Sequence, residues 1–297
     1  MYHNPVMLEE CIKGLNIKPE GIYADVTFGG GGHSKAIMEC LTTGHLYAFD
    51  QDDDAARNAF DDPRFTFIPQ NFRYFKNFVQ LYHPAPIDGI IADLGVSSHQ
   101  FDTPEKGFST RFDGRLDMRM GQSAHTDAAT IVNTYDQAEL TRILAQYGEV
   151  RQAGLLASDI VAARDTEPIE TTAQLKAAVQ GRLPRGRENK VLAQIFQALR
   201  IEVNQELDAL EAFLTQCPDV LKSGGRLVVL TYHSLEDRIV KNFTKTGNAE
   251  GKEETDFFGN LLTPYKLITR KPIVPSEKEI EENGRARSAK LRIAERK

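Results

Sequence analysis

Cysteine, tryptophan and long apolar runs are scarce in this chain of 297 residues. It has three cysteines and no tryptophan. Cys11, Cys40 and Cys217 are widely spaced and form no C-x-x-C pair, which disfavours a disulfide framework or a structural zinc site and fits a reducing compartment. No apolar run approaches the length that spans a bilayer. We therefore expect a cytoplasmic protein without a membrane segment.

An excess of positive charge is also missing. Lys and Arg number 36 against 42 Asp and Glu, which gives a net charge of -6 and no general basic field to attract nucleic acid. The seven histidines show no H-E-x-x-H or comparable spacing, so no metal site is predicted. Hydrophobic content of 41% is ordinary for a globular protein, and the length allows one large domain or two.

The most informative stretch runs from Asp25 to His33 and reads D-V-T-F-G-G-G-G-H. It follows a short apolar run that indicates a buried strand, and it precedes K-A-I-M-E-C-L, which indicates a helix. Consecutive glycines let the backbone turn sharply and approach a ligand closely. Strand, glycine turn and helix begin an α/β nucleotide-binding unit, in which ligands sit at the carboxyl ends of parallel strands.

Strand and helix signals alternate on both sides of a helical block. Strands are predicted at 22–25, 45–50, 65–68 and 87–93, with a helix at 51–58, and the alternation predicts a parallel sheet. A helix ending at Gly224-Gly225, a strand at 226–231 and two final strands in Y-K-L-I-T and K-L-R-I-A resume the pattern. Residues 94–121 have loop composition, and residues 127–214 have helical periodicity. We expect an α/β domain at 1–103 and 212–297, interrupted by an inserted loop and helical domain at 104–211.

The glycine stretch fails the strict dinucleotide pattern G-x-G-x-x-G, because Ser34 or Lys35 occupies the third glycine position. Asp50 ends the next strand, 21 residues after Gly29, where it can bind both ribose hydroxyls of NAD or S-adenosylmethionine. The pattern suits an adenosyl ligand, and the missing glycine disfavours an NAD(P)-dependent oxidoreductase. A tight turn between strand and helix, together with a solvated Asp50 at the end of the next strand and no ligand, would be equally consistent with this sequence pattern.

Asp93 ends the fourth strand, where a substrate group would meet a methyl donor. The amino nitrogen of cytosine or adenine is a poor nucleophile, and a carboxylate that accepts its N–H bonds can turn the lone pair toward the donor. Enzymes of this kind commonly carry Pro-Pro-aromatic after the acid, whereas this chain reads D-L-G-V. Asp93 could alternatively cap the next turn. Methylation at a ring carbon would need a thiolate nucleophile. The sequence around each cysteine gives no indication of an activated thiol.

Positive charge concentrates in two clusters. Residues 181–190 (G-R-L-P-R-G-R-E-N-K) carry four positive charges against one negative, and residues 285–297 (R-A-R-S-A-K-L-R-I-A-E-R-K) carry six against one. Focused Lys and Arg patches suit phosphate contacts. A solvated tail would look the same.

Several long motifs resemble the bacterial ribosomal RNA small subunit methyltransferase H family: D-V-T-F-G-G-G-G-H-S, D-L-G-V-S-S-x-Q-F-D, G-F-S-x-R-x-D-G-x-L-D-M-R-M, F-Q-A-L-R-I-E-V-N-x-E-L and H-S-L-E-D-R-I-V-K. The resemblance covers nearly the whole chain. It implies a class I S-adenosylmethionine-dependent methyltransferase, with a mostly parallel seven-stranded sheet and an all-helical insert. The implied reaction is methylation of N4 of a cytidine in the decoding region of 16S ribosomal RNA, within the 30S subunit or a late assembly intermediate, by a monomer or homodimer.

The resemblance also assigns residues. Donor binding falls on Gly31, Gly32, His33, Asp50, Phe72, Asp93 and Gln100. Asp93 is expected to orient the amine, with Ser97, His233 and Ser234 as further catalytic candidates. RNA binding is expected of Asp117, Arg119, Arg185, Arg187, Lys190, Arg285, Arg287 and Lys290.

Two departures from the family pattern stand out. N-K-V-L-A-Q-I replaces I-H-P-A-T-R before F-Q-A-L-R-I, and T-Y-H-S replaces S-F-H-S around His233. Neither is expected to touch the donor site. A non-enzymatic reading also stays open, in which an RNA-binding assembly factor keeps a vestigial donor site.

Overall fold

The computed structural model describes residues 5–121, 124 and 126–297, and only the backbone of Ser98. Contacts divide the chain into two compact units: Met1–Gly95 with Leu207–Lys297, and Val96–Glu206. Within the described residues, no helix is both long and apolar enough to cross a membrane.

The first part of the chain alternates helices and strands. Its elements are α1 (Leu8–Leu15), β1 (Ile22–Asp25), α2 (Gly32–Cys40), β2 (His45–Phe49), β3 (Phe65–Ile68), α3 (Phe75–Tyr82) and β4 (Ile87–Asp93). Helices follow: α4 (Ser98–Asp102), α5 (Ala128–Thr134), α6 (Gln137–Gln146), α7 (Ala153–Arg164), α8 (Thr172–Val179) and α9 (Glu188–Asn204). The chain returns through α10 (Glu206–Val220), β5 (Leu221–Thr231), α11 (Ser234–Thr246), β6 (Tyr265–Leu267), α12 (Glu277–Glu282) and β7 (Lys290–Arg296).

The strands form one seven-stranded sheet in the order β3-β2-β1-β4-β5-β7-β6. β1 to β5 pair in parallel, whereas β7 runs antiparallel to both of its neighbours. This arrangement confirms the predicted mostly parallel seven-stranded sheet. The chain leaves β1 on one side through β2 and β3 and returns to its other side at β4. Ligands of such sheets bind at the carboxyl ends of the strands where the order reverses, which here means beside β1 and β4.

Both faces of the sheet are buried. Along β4, Ile90 and Ala92 belong to one hydrophobic core while Ile91 belongs to the other, because successive side chains of a strand point to opposite faces. Phe213 of α10 packs in the first core and Ile37 of α2 in the second. Burial on both faces explains why the central strands read as continuous apolar runs.

Three local predictions were wrong in detail. The segment predicted as a helix at 51–58 forms a 3₁₀ helix over Asp53–Asn58. The helix expected to end at Gly224-Gly225 ends at Val220, and β5 already begins at Leu221. Leu221 pairs with Ile87 but Arg226 pairs with Gly89, so three extra residues bulge out of β5, and Gly224 (φ 82°) takes the left-handed conformation there. The segment 94–121, predicted as loop, contains α4 and a 3₁₀ helix at Pro104–Lys106.

The second unit has its own core, built from apolar residues of the helices α5 to α9 and the segment before them. Two of its helices begin at capping boxes that the sequence encodes. Asp136 and Glu139 form a capping box at α6, and Thr171 and Gln174 form one at α8. Each box satisfies backbone N–H groups that the first turn of a helix leaves without partners.

Candidate active site

The glycine loop, residues 29–32, lies at the carboxyl end of β1. Gly29 (φ 51°) and Gly31 (φ 76°) adopt left-handed conformations, which glycine tolerates best. A Cβ on Gly31 would lie 3.1 Å from two ring atoms of Phe28, and one on Gly32 would overlap Pro5. α2 begins at Gly32, so the N–H groups of its first turn and the positive end of its dipole lie at this loop.

Asp25 forms hydrogen bonds to residues on both sides of the glycine loop. Its Oδ2 accepts a hydrogen bond from Ser34 Oγ at 2.7 Å, and its Oδ1 accepts one from the Thr27 backbone N–H at 3.1 Å. The Thr27 hydroxyl in turn accepts from the backbone N–H of Asp93 at 2.6 Å. Burial raises the pKa of Asp25, and the Ser34 bond opposes that rise. Asp25 is 2% exposed, so its role is to tie β1, α2 and β4 together.

Asp50 follows β2 and accepts a hydrogen bond from the same loop. Its Oδ2 accepts a hydrogen bond from the Gly29 N–H at 2.7 Å, and its Oδ1 accepts one from the Asp52 N–H at 2.9 Å. Burial raises the pKa of this carboxyl to about 6, although both backbone bonds lower it. A carboxylate has about four lone-pair positions, so two bonds leave acceptor capacity for a ligand.

Asp93 stands at the end of β4. Its Oδ1 accepts a hydrogen bond from the Tyr232 hydroxyl at 2.6 Å, and its Oδ2 lies 3.7 Å from His33 Nδ1, an ion pair when the imidazole is protonated. Burial raises the pKa of Asp93, while His33 and Tyr232 lower it. Its side chain is 26% exposed, compared with 7% for His33, so a substrate group can reach the carboxylate.

His33 is held from its other side, because its Nε2 lies 3.1 Å from the Val6 carbonyl oxygen and donates to it. The contact orients the imidazole with Nδ1 toward Asp93. Among the residues predicted to bind the donor, Gly31, Gly32, His33 and Asp93 therefore cluster at the carboxyl ends of β1 and β4, with Asp50 across the glycine loop.

Phe72 lies in a 3₁₀ helix at Phe72–Tyr74, capped by the Asn71 side chain. Its ring meets that of Phe213 edge to face at a centroid distance of 5.5 Å and is partly buried. The Asn71 amide donates to Gln51 Oε1 at 2.7 Å, which links this turn to the residue after Asp50. The structure thus places Phe72 in the segment after β3, tethered to the end of β2.

His233 and Ser234 begin α11. His233 caps the helix, with its Nδ1 accepting from the Glu236 N–H at 3.5 Å, and its Nε2 lies 3.1 Å from Glu236 Oε1. The Glu236 carboxylate also accepts from the Tyr232 backbone N–H at 3.0 Å. Ser234 is exposed. A catalytic role was expected of His233, and the structure shows that both of its ring nitrogens contact Glu236.

The second unit holds seven of the remaining predicted site residues: Ser97, Gln100, Asp117, Arg119, Arg185, Arg187 and Lys190. Ser97 and Gln100 form the capping box of α4, and Gln100 is 4% exposed. Asp117 and Arg119 form a bidentate ion pair, with nitrogen–oxygen distances of 2.8 and 2.7 Å. The basic cluster at 181–190 is largely exposed, which includes Arg185, Arg187 and Lys190.

The charge of the C-terminal basic cluster was also consistent with a solvated tail, but most of the cluster forms the strand β7. Lys290 and Arg292 lie in β7 and share the carboxylate of Asp237, at 3.2 Å from Lys290 Nζ and 2.7 Å from Arg292 Nε. Arg292 is 8% exposed. Arg287 is exposed and Arg285 is partly buried. Arg296 of the same strand donates to the carbonyl oxygens of Pro218 and Pro264, so at least three of the six positive charges serve the fold.

Tyr232 is the site residue that the sequence alone did not reveal. The substitution of T-Y-H-S for S-F-H-S was expected to leave the donor site untouched, but the Tyr232 hydroxyl binds Asp93 directly. The expectation was wrong because strand order, rather than sequence separation, decides neighbours: Leu230 of β5 pairs with Asp93 of β4.

The two buried thiols are not activated in this arrangement. Cys11 and Cys217 are fully buried, and burial raises the pKa of both well above its ordinary value. Cys40 is exposed at the last residue of α2, the end of that helix remote from the glycine loop. Neither buried thiol is prepared to act as a thiolate nucleophile.

The fold and the site define the class of protein. A mostly parallel seven-stranded sheet with an antiparallel β7, a glycine loop after β1 and an acid after β2 is the arrangement of class I S-adenosylmethionine-dependent methyltransferases. The chain belongs to the MraW methylase family, whose model matches residues 1–297. Family and fold confirm S-adenosylmethionine as the cofactor that the sequence predicted, and they confirm the family resemblance.

Relatives match over their full length. The chain is 57% identical to ribosomal RNA small subunit methyltransferase H of Bacteroides thetaiotaomicron, over 100% of this chain and 98% of that protein. It is 56% identical to the protein of the same name from Flavobacterium johnsoniae, over 99% and 98%. A crystal structure of an rRNA methylase from Streptococcus thermophilus aligns over 97% of this chain and 93% of that one at 12% identity, with a TM-score of 0.39, too low to bear on the argument.

Proposed function

We propose that the protein methylates N4 of a cytidine in the decoding region of 16S ribosomal RNA, by direct in-line transfer from S-adenosylmethionine. The observation that carries this proposal is the partly exposed carboxylate of Asp93 at the end of β4, beside the glycine loop. The names of the relatives support small-subunit ribosomal RNA as the substrate. The inferred cytidine and its position rest on the motif resemblance.

The residues around the glycine loop fit the donor's polar groups. The Asp50 carboxylate keeps acceptor capacity for a ribose diol, and the N–H groups at the start of α2 suit the donor's own carboxylate. S-adenosylmethionine supplies a methyl group on a positively charged sulfur, which leaves as S-adenosylhomocysteine. Gly31, Gly32, His33 and Asp50 would hold it, with Phe72 and Gln100 as further candidates.

Asp93 would prepare the nucleophile. By accepting an N–H bond from the cytidine amine, its carboxylate turns the nitrogen lone pair out of conjugation with the ring and toward the methyl group. The N–C bond would form as the C–S bond breaks, and the proton lost from the nitrogen would pass to the Asp93 carboxylate or to water. The buried, raised-pKa thiols of Cys11 and Cys217 favour this amine chemistry over covalent attack on a ring carbon. Ser97, His233 and Ser234 remain candidates for the walls of the base pocket.

RNA would be held by the inserted segment and by focused positive charge. The exposed cluster at 181–190 offers Arg185, Arg187 and Lys190 to phosphates, and Arg287 is exposed at the other cluster. The target cytidine must be unstacked or already exposed to reach a carboxylate at a strand end. We propose that a 30S subunit or a late assembly intermediate presents the cytidine in this way.

Methyl transfer can be tested directly. Purified protein, labelled S-adenosylmethionine and 30S subunits lacking the modification should yield N4-methylcytidine in 16S RNA, detected by mass spectrometry of nucleosides. An unrelated RNA methyltransferase on its own substrate controls for donor quality. Donor binding without turnover on 30S subunits, assembly intermediates or free 16S RNA would instead favour an assembly factor with a vestigial donor site.

Asp93→Asn tests the role of the carboxylate. It keeps the side chain's shape but removes the charge, so turnover should fall by at least about 100-fold, the scale of one lost transition-state acceptor. Binding of S-adenosylhomocysteine is measured in parallel by calorimetry. Unchanged turnover with intact donor binding would remove Asp93 from the proposed mechanism.

A further inference from the structure

The hydroxyl of Tyr232 makes the shortest contact to the Asp93 carboxylate among the described residues. Tyr232 directly follows β5, the strand that pairs with β4, and its O–H donates to Asp93 Oδ1 at 2.6 Å. The ring packs against the core that contains Leu230, and the Tyr232 backbone N–H donates to Glu236 Oε2 at 3.0 Å. The phenol is therefore held in place by packing and by its own backbone, independently of Asp93.

A hydrogen bond of this length from a neutral hydroxyl to a carboxylate is charge-assisted and directional. It occupies Oδ1 and fixes the rotation of the carboxylate, which leaves Oδ2 on the side of His33, 3.7 Å from Nδ1. We propose that Tyr232 is a positioning residue, which holds Asp93 ionised and rotated so that one oxygen is presented to the substrate amine. This inference rests on the proposed function of Asp93.

The charges around Asp93 show why such a donor is needed. Burial raises the pKa of Asp93, and the carboxylates of Asp25 and Glu236 raise it further. His33 and Tyr232 oppose this rise. Cys11 of α1 is also within electrostatic reach, but its own pKa is raised by burial, so it stays a neutral thiol. Without the Tyr232 bond, more of the enzyme would carry a protonated Asp93, which is a weaker acceptor for an amine.

Tyr232→Phe removes the hydroxyl and keeps the ring. Tyr265→Phe is the matched control, because Tyr265 of β6 is 1% exposed and its hydroxyl has no hydrogen-bond partner among the described residues. The dependence of kcat/KM on pH is measured from 5.5 to 9 for the wild type and both variants. Loss of a hydrogen bond to a charged group makes Asp93 easier to protonate, so the acid limb of Tyr232→Phe should move up by about one to two pH units. The Tyr265→Phe profile should superimpose on the wild type.

Thermal unfolding gives a readout that needs no activity. The Tyr232 bond is strongest when Asp93 is ionised, so the Tm deficit of Tyr232→Phe should grow from pH 5 to pH 8. In an Asp93→Asn background the growth should vanish. A uniform loss of activity at every pH, or a Tm deficit that is the same at pH 5 and pH 8, would overturn the inference. If the wild type methylates no small-subunit substrate, the proposed function fails, while the pH dependence of the Tm deficit still reports on the bond between Tyr232 and Asp93.

Discussion

Replacing Asp50 with asparagine separates the charge of this residue from its shape. In the wild type, one carboxylate oxygen accepts from the Gly29 N–H at 2.7 Å and the other from the Asp52 N–H at 2.9 Å. Asparagine supplies only one oxygen, so its amide nitrogen must face one of these two backbone donors. A backbone N–H left without an acceptor costs about 1–3 kcal/mol. The variant should therefore weaken both the loop and the proposed acceptor for the donor's ribose.

The size of the effect depends on pH. Charged hydrogen bonds to a ligand are worth about 1.5–3 kcal/mol, so Asp50→Asn should weaken binding of S-adenosylhomocysteine by roughly 10- to 100-fold at pH 8. The pKa of Asp50 is raised to about 6. At pH 5 only about one-tenth of the wild-type carboxyl is ionised, so the wild type itself should lose about tenfold in affinity between pH 8 and pH 5. The gap between variant and wild type should shrink by the same factor.

Calorimetric titration with S-adenosylhomocysteine at pH 5, 6, 7 and 8 measures this gap. Titration of the ligand and of Asp93 affects both proteins, so it cancels in the comparison. Asp53→Asn is the control, because it makes the same charge change at an exposed residue three positions further on. At pH 6 the wild type should also release about half a proton on binding, seen by comparing buffers of different ionisation heat. A gap that stays constant from pH 5 to pH 8, with both proteins folded, would refute the assignment of Asp50.

The stability of the protein should also depend on the ionisation of Asp50. It should fall as this carboxyl loses its proton, whereas the affinity for the donor should rise. Because the folded-state pKa of Asp50 lies above the unfolded value of 3.8, the folded protein binds the extra proton between these values. Its contribution to stability is complete below about pH 4 and is lost as pH rises through about 6. The difference in urea unfolding free energy between wild type and Asp50→Asn should therefore change across this window and level off above it.

Three further predictions concern the frame of the site. Gly31→Ala forces a left-handed conformation at φ 76° and a contact to the Phe28 ring, so it should cost about 1–2 kcal/mol in urea unfolding; an unchanged midpoint would show that the loop can rearrange. Arg292→Met removes two hydrogen bonds to the Asp237 carboxylate but leaves Lys290 as its partner, so it should cost about 1–3 kcal/mol near pH 7. Because its partners lower the pKa of Asp237, this deficit should shrink as pH falls below about 4, and a deficit that does not change with pH would contradict the ion pair. Cys217→Ala should retain full methyl transfer per folded molecule, and loss of turnover with normal folding would argue for a thiol nucleophile.

Strand-end acids could be found from the sequence because parallel strands all finish at one edge of their sheet. Once alternation had identified the strands, Asp50 and Asp93 had to lie near the glycine loop, and they do. The helical insert was likewise visible from periodicity alone. These features depend on local patterns of apolar and polar residues, which are visible without knowledge of the tertiary structure.

Partners across the sheet could not be found in this way. Tyr232 and Asp93 are 139 residues apart, and Arg292 and Asp237 are 55 apart. In both pairs the residue types were plain, but β5 and β7 had to be placed in the sheet before either contact could be seen. The C-terminal charge run shows the consequence most clearly, because composition alone does not distinguish an arginine that binds phosphate from one that neutralises a buried acid.

The strand-end carboxylates share one property that explains the pH sensitivity expected above. Asp25, Asp50 and Asp93 accept hydrogen bonds from hydroxyls or backbone N–H groups, and no lysine or arginine of the described residues pairs with them. A guanidinium would lower their pKa and occupy both oxygens, which would leave little acceptor capacity for a ligand. Neutral donors fix the carboxylates in place without cancelling their charge. Because no lysine or arginine in the described part of the chain offsets it, burial is the dominant influence on these carboxyl groups, and the pKa of all three is raised. If these carboxylates accept a ribose diol and an amine as proposed, acid should inactivate the protein.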